Sequence, residues 1–379
     1  MKIKKNELLF FIGIILLILK TMIEISFLFN FFSEDFCDIL LLLSYVVLMF
    51  CIFRNIIKFN NVRKLFFSVT MLIIALITYY ISKYTGFLTL IIVLLAAQKV
   101  ELDKTIRILF LFNIFIVFIH IAIYIVNLVF DFESLNIMLR VTENTTTLRH
   151  AFCFKHPNIF AMYVFWTTAM YYYLNYERLD IYKYFITVII AICIYFFPNS
   201  RTCCLAILML IIFTIFEKKR LIKNKFLIIF FTISLIICIM SLFLIDNQII
   251  SLLDEILSNR LALGHIIYEK YGLSLLGTDI QGGTGLVRVN GKVYSSVTII
   301  DSTFYSLLLN YGVISFVFVV ICVYVVINKI EKRNFGREKV MIFVWIIYAL
   351  SETSCMSLIF GFPLFFINKY ILEGENNEK

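Results

Sequence analysis

Residues 106–130 read IRILFLFNIFIVFIHIAIYIVNLVF, and Arg107, near the beginning of this run, is its one charged residue. A helix needs roughly 20 apolar residues to cross the hydrocarbon core of a bilayer. The run meets that length and leaves no polar face for water. It therefore predicts a transmembrane helix.

The composition of the whole chain agrees with this prediction. Of its 379 residues, 62% are hydrophobic and 17% aromatic, and only 3 are proline. Soluble globular domains contain about half apolar residues, so the chain is predicted to be an integral membrane protein. Most of the nine cysteines lie in apolar runs, where we expect packing residues rather than disulfides or metal ligands.

Further apolar runs predict an all-α polytopic fold with about twelve transmembrane helices. Residues 1–5 are basic, but the apolar run that follows them is too long for the core of a signal peptide, so it is taken as the first helix. The predicted helices are 8–28, 39–56, 65–82, 86–98, 106–130, 157–174, 183–197, 202–217, 226–245, 302–328, 340–356 and 358–372.

The distribution of Lys and Arg predicts the orientation, because cationic loops translocate poorly and stay in the cytosol. With the N-terminus inside, the inner loops hold basic clusters at 54–64, 99–107, 218–225 and 329–339. Both termini are then cytosolic. The net charge of +9, from 34 Lys and Arg against 25 Asp and Glu, is assigned to anionic lipid rather than to nucleic acid.

This orientation divides the chain into five segments. N-terminal transmembrane helices occupy 1–130, and an outer loop follows at 131–156. Central transmembrane helices at 157–245 lead to a large outer loop at 246–301, and 302–379 holds the C-terminal helices and a cytosolic tail. Long loops on one face of a membrane protein are where function is expected.

The predicted outer side carries arginines that the usual charge bias would place inside. They are Arg140, Arg149, Arg201, Arg260 and Arg288. A guanidinium group binds phosphate oxygens through a planar, bidentate fork. An outer cluster of arginines beside a bilayer therefore indicates a site for an anion carried by a lipid.

The large outer loop contains one readable helix, from residue 252 to residue 271, with an apolar stripe at helical spacing. Arg260 falls on that stripe, so it needs a buried anionic partner. That partner is either a substrate anion or a carboxylate of the protein. After the Gly-rich residues 281–285, the alternating residues 286–298 predict a small hairpin.

Two shorter groups also lie on the predicted outer side. In residues 149–158, Pro157 suits the first turn of a helix, which would place the positive end of a helix dipole near Arg149. In residues 198–202, Asn or Ser can cap the next helix. The plainer interpretation of both groups is a capped helix start with solvated or interfacial charges.

Asp301 is the last polar group before the tenth predicted helix. It is either a helix cap or a base that takes a proton from a substrate hydroxyl. Among the histidines, His120 lies within a predicted helix and is expected to be packed, whereas His265 lies on a polar face and is expected in solvent.

Taken in order, residues 149–158, 199–202, the helix from Asn259–Arg260 to Gly277, and 301–312 resemble the motifs of the Wzy-type polysaccharide polymerases, relatives of the O-antigen ligases. The resemblance implies a GT-C-like helical fold in a bacterial plasma membrane. It also implies glycosyl transfer at the outer face, without metal or cofactor, from an oligosaccharide linked to undecaprenyl pyrophosphate. The implied partners are membrane lipid and the flippase and chain-length regulator of the same pathway.

This resemblance, together with the bond to be broken, assigns roles to residues. Arg149, Arg260 and Asp301 are the catalytic candidates: the arginines stabilise the leaving pyrophosphate, and Asp301 orients or deprotonates the acceptor hydroxyl. The candidates for substrate binding are Arg140, His156, Asn158, Ser200, Arg201 and Tyr305. Ala151 and Phe152 replace the Gly-Phe pair of the family. Asp301 and Ser302 stand where the ligases have a His-Asn pair, which favours a polymerase.

Two other functions stay open at this point. One is a ligase-like glycan transferase, and the other is a flippase or transporter of lipid-linked oligosaccharides. A transporter predicts charged residues in the middle of its spans and no ordered outer loop. The predicted spans hold few charges, chiefly Lys20 and Glu24 in the first and Glu352 in the eleventh.

The orientation predicts that both long loops are accessible from outside the cell. Cysteines introduced at Glu143 and Ser274, in a background without reactive native cysteines, should react with an impermeant maleimide in intact cells. Protection of both positions in intact cells, with labelling only after lysis, would reverse the orientation.

Overall fold

The computed structural model describes residues 5–57, 62–130, 137–142, 145–222, 225–257, 259–280, 286–289, 292–295 and 300–372. Helices dominate this part of the chain. Five of them are long and apolar enough to cross a membrane: Glu34–Asn55, Leu65–Ser82, Leu102–Phe130, Phe226–Phe243 and Gly312–Arg333. The prediction of a helical membrane protein is confirmed in this respect, and the number of about twelve spans stays a prediction.

The helices and strands follow one another in this order. The α-helices are α1 (Lys5–Ile25), α2 (Glu34–Ile57), α3 (Val62–Ser82), α4 (Gly86–Ala96), α5 (Leu102–Phe130), α6 (Pro157–Leu174), α7 (Ile181–Phe196), α8 (Arg201–Lys218), α9 (Phe226–Phe243), α10 (Gln248–Ile256), α11 (Arg260–Tyr271), α12 (Thr303–Tyr305), α13 (Gly312–Arg333), α14 (Gly336–Ser351) and α15 (Phe365–Ile367). The strands are β1 (Ile137–Thr142), β2 (Thr145–His150), β3 (Leu286–Val289) and β4 (Lys292–Ser295). Short 3-10 turns cover Phe27–Asn30, Tyr176–Arg178, Thr353–Met356 and Phe362–Leu364, and π turns cover Ser306–Asn310 and Asn368–Leu372.

The chain forms two compact units. The first consists of Met1–Asn55 and Lys99–Leu221, and the second of Ile56–Gln98 and Ile222–Lys379. The predicted division into five consecutive segments therefore describes the order of the chain, whereas each folded unit combines two stretches of it.

The first unit is built on an aromatic core. Helix α5 packs against α6, and α8 packs against both α6 and α7. Tyr163 and Trp166 of α6 are fully buried. His120 of α5 is also buried, with Nδ1 2.8 Å from the Ile116 carbonyl oxygen and the ring stacked on Phe154 at a centroid distance of 4.1 Å. The prediction that His120 is a packed residue is confirmed.

In the second unit, α9 contacts α11, α13 and α14. The buried carboxylate of Glu331 in α13 accepts a hydrogen bond of 3.0 Å from the backbone N–H of Leu227, in the first turn of α9. This bond satisfies one of the free N–H groups at a helix start and fixes α9 against α13.

Two motifs that are far apart in the sequence meet in this unit. The N–H of Thr278 donates to the Asn310 carbonyl at 3.0 Å, and the N–H of Val313 donates to the Ser274 carbonyl at 2.9 Å. Gly277 and Gly312 both have positive φ, 104° and 86°, and a Cβ on Gly312 would lie 2.3 Å from the Gly277 nitrogen. We refer to this contact as the 277–312 crossing. Only glycine fits there without displacing the backbone.

The helix predicted from residue 252 to residue 271 is wrong in one respect. Helix α10 ends at Ile256 and α11 begins at Arg260. Asn259 between them is left-handed, with φ of 63°, so the chain turns. The carboxylate of Asp254 accepts hydrogen bonds from the N–H groups of Leu261 and Ala262, at 2.8 and 3.1 Å, and so caps the new helix start.

The last three predicted spans also differ from the structure. The continuous part of the tenth begins at Gly312 rather than at residue 302, because the positive φ of Gly312 interrupts the helix. The eleventh ends at Ser351. The twelfth begins at Phe362 rather than at residue 358, with Pro363 in its first turn, where the missing N–H is tolerated, and it continues through 3-10, α and π geometry to Leu372.

The outer-loop predictions have mixed outcomes. The hairpin predicted within 286–298 is confirmed for β3 and β4, which pair antiparallel, whereas Gly-rich 281–285 and 296–298 lie outside the described residues. The antiparallel pair of β1 and β2 was not predicted from the sequence of the 131–156 loop.

The 277–312 crossing makes a test of stability possible. Gly312→Ala should lower the free energy of unfolding by at least about 2 kcal/mol more than Gly272→Ala, measured by thermal or denaturant unfolding in detergent. Gly272 is the matched control because it also has positive φ, 68°, but a Cβ there meets nothing within 4 Å. Equal losses in the two variants would show that the crossing imposes no steric constraint.

Candidate functional site

The first unit brings Arg149 to the start of two helices. Arg149 is the next-to-last residue of β2 and is 8% exposed. Its Nε donates to the Pro198 carbonyl at 2.9 Å, and its Nη2 donates to Asn158 Oδ1 at 2.6 Å. Asn158 is in the first turn of α6, and Pro198 shortly precedes α8. The predicted approach of Arg149 to a helix N-terminus is therefore confirmed.

The start of α6 agrees with the prediction made from Pro157. Pro157 is the first helical residue, and His156 is the N-cap, with Nδ1 accepting from the N–H of Asn158 at 3.1 Å. Burial lowers the pKa of His156, and the nearby Arg149 guanidinium lowers that pKa further. Both effects favour the neutral imidazole, which is the form that can accept this hydrogen bond.

The start of α8 differs from a capped helix. Ser200 occupies the N-cap position and is buried, but its hydroxyl makes no capping hydrogen bond. Arg201 is the first residue of the helix and is exposed. Arg201 is therefore exposed at the positive, N-terminal end of the α8 dipole, an arrangement that suits an anion.

Two of the predicted arginines are located only by their backbone. Arg140 of β1 is paired with Thr147 of β2, and Arg288 of β3 is paired with Val293 of β4. Their side chains lie outside what the structure describes.

The segment between the hairpin and α6 is held by backbone hydrogen bonds. The N–H of His150 donates to Phe197 at 3.0 Å, that of Phe27 donates to Cys153 at 2.9 Å, and that of Lys155 donates to Ile25 at 2.9 Å. Phe152 and Cys153 have φ of 50° and 64°. Two successive non-glycine residues in this region are unfavourable by about 1–3 kcal/mol each and persist only where the surroundings enforce them.

The second unit holds a guanidinium with two carboxylate neighbours. Arg260 is 8% exposed, and its Nη2 donates to Glu352 Oε1 at 2.9 Å. Its Nε lies 3.9 Å from Asp301 Oδ2. The anionic partner that Arg260 was predicted to need is thus a carboxylate of the protein. We call Arg260, Asp301 and Glu352 the Arg260 cluster.

Local hydrogen bonds position each member of this cluster. The Asp254 cap fixes the start of α11, where Arg260 is the first residue. The hydroxyl of Ser302 donates to the Ala349 carbonyl at 3.1 Å, and that of Thr303 donates to the Glu352 carbonyl at 2.5 Å. The chain next to Asp301 is therefore tied to the end of α14, from which Glu352 extends.

The cluster has one partly exposed carboxylate and one unused donor. The side chain of Asp301 is 37% exposed, against 17% for that of Glu352. Burial raises the pKa of Asp301 above its ordinary value, and Arg260 partly offsets this. Nη1 of Arg260 is buried and has no hydrogen-bond partner among the described residues. Such a donor is costly unless a ligand or water accepts from it.

Three predictions about this unit are corrected by the structure. Asp301 is not a helix cap, because Ser302 takes that position and the Asp301 side chain faces Arg260. Tyr305 was a candidate for substrate binding. It is buried with its hydroxyl bonded to Ser241 of α9, so it belongs to the packing beside the cluster. His265 is not solvated, because α11 packs against α9. The Nδ1 of His265 donates to the Leu242 carbonyl at 2.7 Å.

No family model, curated protein or solved structure matches this chain. Its function is therefore argued from the surroundings of Arg149 and Arg201 and from the Arg260 cluster. The sequence analysis missed Glu352 as a member of the Arg260 cluster and Asp254 as the residue that caps α11. The signal for Glu352 was present, because an acidic residue in an apolar run requires a partner.

The Arg260 cluster predicts a pH-dependent stability. Burial raises the pKa values of Asp301 and Glu352, and Arg260 lowers both. Arg260→Gln should raise them further. A carboxyl whose pKa is higher in the folded state stabilises the fold at low pH and loses that contribution as pH rises. The loss of unfolding free energy in Arg260→Gln should therefore grow as pH rises above the ordinary carboxyl pKa values of 3.8 and 4.5, to about 3–5 kcal/mol.

The matched control is Lys270→Gln, which removes an exposed cation from the same helix. It should change stability little at any pH. Unfolding in detergent, followed across pH, makes the comparison, and Arg260→Gln/Glu352→Gln should recover much of the loss. A pH-independent loss in Arg260→Gln would contradict the charge argument.

Proposed function

We propose that this chain is a Wzy-type polymerase that joins oligosaccharide repeat units carried on undecaprenyl pyrophosphate. The observation that carries the proposal is the Arg260 cluster: a partly exposed carboxylate, Asp301, beside a buried guanidinium that has one unused donor. This combination suits a hydroxyl group that must be held and deprotonated.

The reaction assigns a task to Asp301. The acceptor hydroxyl oxygen attacks the anomeric carbon of the growing chain, and a new glycosidic bond forms. The bond from that carbon to the pyrophosphate oxygen breaks, and undecaprenyl pyrophosphate leaves with the electron pair. The proton of the hydroxyl goes to Asp301. Because burial raises the pKa of Asp301, it is a stronger base than an ordinary aspartate.

Taken by itself, the first unit holds a cluster of groups that suits an anion such as a pyrophosphate. Arg201 is exposed at the N-terminal end of α8, where the helix dipole favours negative charge, and Arg149 bonds Asn158 at the same end of α6. His156, Asn158 and Ser200 complete this cluster. A preorganised donor aimed at developing negative charge is worth about 3–4 kcal/mol in comparable sites. Arg140 is assigned to the same group on its sequence position.

Arg260 takes a different role from the one that the sequence indicated. Glu352 and Asp301 balance its charge, so it offers a substrate oxygen the single donor Nη1 rather than a bidentate fork. We assign it to orienting the acceptor and Asp301, and leave the pyrophosphate to Arg149 and Arg201.

The proposal extends to the setting of the enzyme. It includes about twelve spans in a GT-C-like fold, both termini in the cytosol and the two clusters at the outer face of a bacterial plasma membrane. Shorter apolar helices, Gly86–Ala96, Ile181–Phe196 and the turns of Phe362–Leu372, supplement the five long ones and support a number above five. A lipid-linked donor reaches such a site from within the bilayer.

The proposal predicts a ladder of lipid-linked glycans that differ by whole repeat units. Purified protein in detergent should convert lipid-linked repeat units into longer lipid-linked glycans without nucleotide sugar, and Asp301→Asn should lower kcat by about 100-fold or more. Since the base must be deprotonated, the rate should fall on the acid side with a midpoint above the ordinary aspartate pKa of 3.8. Gel separation of the glycans at several pH values measures both.

The control is Glu269→Gln, which removes an exposed carboxylate of α11 outside the cluster. It should leave the ladder unchanged. A flippase would move the same lipids between leaflets without lengthening them, and a ligase would transfer the glycan to a different acceptor. Unaltered glycan length with authentic substrate would overturn the polymerase proposal.

A further inference from the structure

Arg260 lies at different distances from the two carboxylates of its cluster. Glu352 accepts a hydrogen bond of 2.9 Å from Nη2, whereas Asp301 is 3.9 Å from Nε, beyond hydrogen-bond distance. The shorter contact belongs to the more buried of the two side chains. Arg260 therefore makes its strong contact with Glu352 and leaves the oxygens of Asp301 without a hydrogen bond from it.

We propose that Glu352 is a positioning residue for the reaction: it holds Arg260 away from Asp301 and so keeps Asp301 available as the base. This inference rests on the proposed function. Without the Glu352 charge, the guanidinium would be free to form a charge-assisted, bidentate pair with Asp301. A carboxylate in such a pair is a weaker base, because hydrogen bonds to its charged form stabilise that form.

Glu352 reaches the cluster in two ways. Its side chain bonds Arg260, and its backbone carbonyl accepts from the hydroxyl of Thr303, two residues after Asp301. A single residue thus sets both the position of the guanidinium and the path of the chain that carries the base. The charged and titratable groups that act on the cluster are Asp301, Arg260 and Glu352 themselves and Tyr348 of α14.

The unused donor of Arg260 gives a second, independent reason for a fixed guanidinium. Nη1 is buried without a partner among the described residues, so a substrate oxygen or water is expected to accept from it. The bond to Glu352 limits rotation of the guanidinium and so fixes where that donor lies. An acceptor hydroxyl that accepts from Nη1 and donates to Asp301 would be held at both its donor and its acceptor positions.

The test is the pH dependence of chain extension in Glu352→Gln, with Glu269→Gln as the control. In Glu352→Gln, we expect the acid limb of the rate profile to move down by about 1 pH unit and kcat to fall by about 10-fold or more, with KM little changed. Glu269→Gln should retain both the wild-type limb and the wild-type kcat. If Glu352 had a purely structural role, Glu352→Gln would lower the amount of folded enzyme without moving the acid limb of the rate profile.

Glu352→Asp keeps the charge and shortens the side chain, so it should move the limb in the same direction by a smaller amount. It serves as the deciding variant if Glu352→Gln does not fold. An unmoved limb in the variant that folds would overturn the positioning role. A wild-type protein that makes no ladder would instead overturn the proposed function, so the two failures are distinguishable.

Discussion

A buried guanidinium must be balanced by negative charge, and the second unit is arranged around this requirement. An ion removed from water loses several kcal/mol of solvation, which it recovers only through well-placed partners. Arg260 obtains them from Glu352 and Asp301. These contacts require three separate segments to meet: the start of α11, the residues before α12 and the end of α14.

The same requirement explains the accessory hydrogen bonds. The Asp254 cap fixes Arg260 at the first position of α11, and the hydroxyls of Ser302 and Thr303 hold the neighbouring chain to the end of α14. In the first unit, backbone hydrogen bonds hold the segment after Arg149 in position. The left-handed residues Phe152 and Cys153 turn the segment after Arg149 so that it bonds the ends of α1 and α7.

The sequence predicted those features that depend on local rules. Pro157 marks a helix start because it lacks an N–H, and apolar runs mark membrane helices, so both predictions agree with the structure. The need of Arg260 for an anion was predicted from its apolar neighbours. The identity of this partner was not predicted, because Glu352 is 92 residues away from Arg260 and no local pattern identifies a tertiary contact.

The errors have a common physical origin. The single helix expected over residues 252–271 breaks at Asn259, since this residue is left-handed and the Asp254 carboxylate caps a new helix start. Tyr305 and His265 look polar in the sequence, but the packing of α11 against α9 covers them. Which polar residues face a site is decided by packing between helices, and periodicity within one helix does not contain that information.

The 277–312 crossing has a consequence for how this chain can diverge. Because backbone hydrogen bonds pin Thr278 to Asn310 and Ser274 to Val313, the chain between these contacts has both of its ends fixed. Lengthening such a loop costs little, only about 0.6 kcal/mol for each doubling, since closure entropy grows with the logarithm of length. A change in the number of residues between Thr278 and Asn310 therefore costs little closure entropy while the 277–312 crossing stays in place.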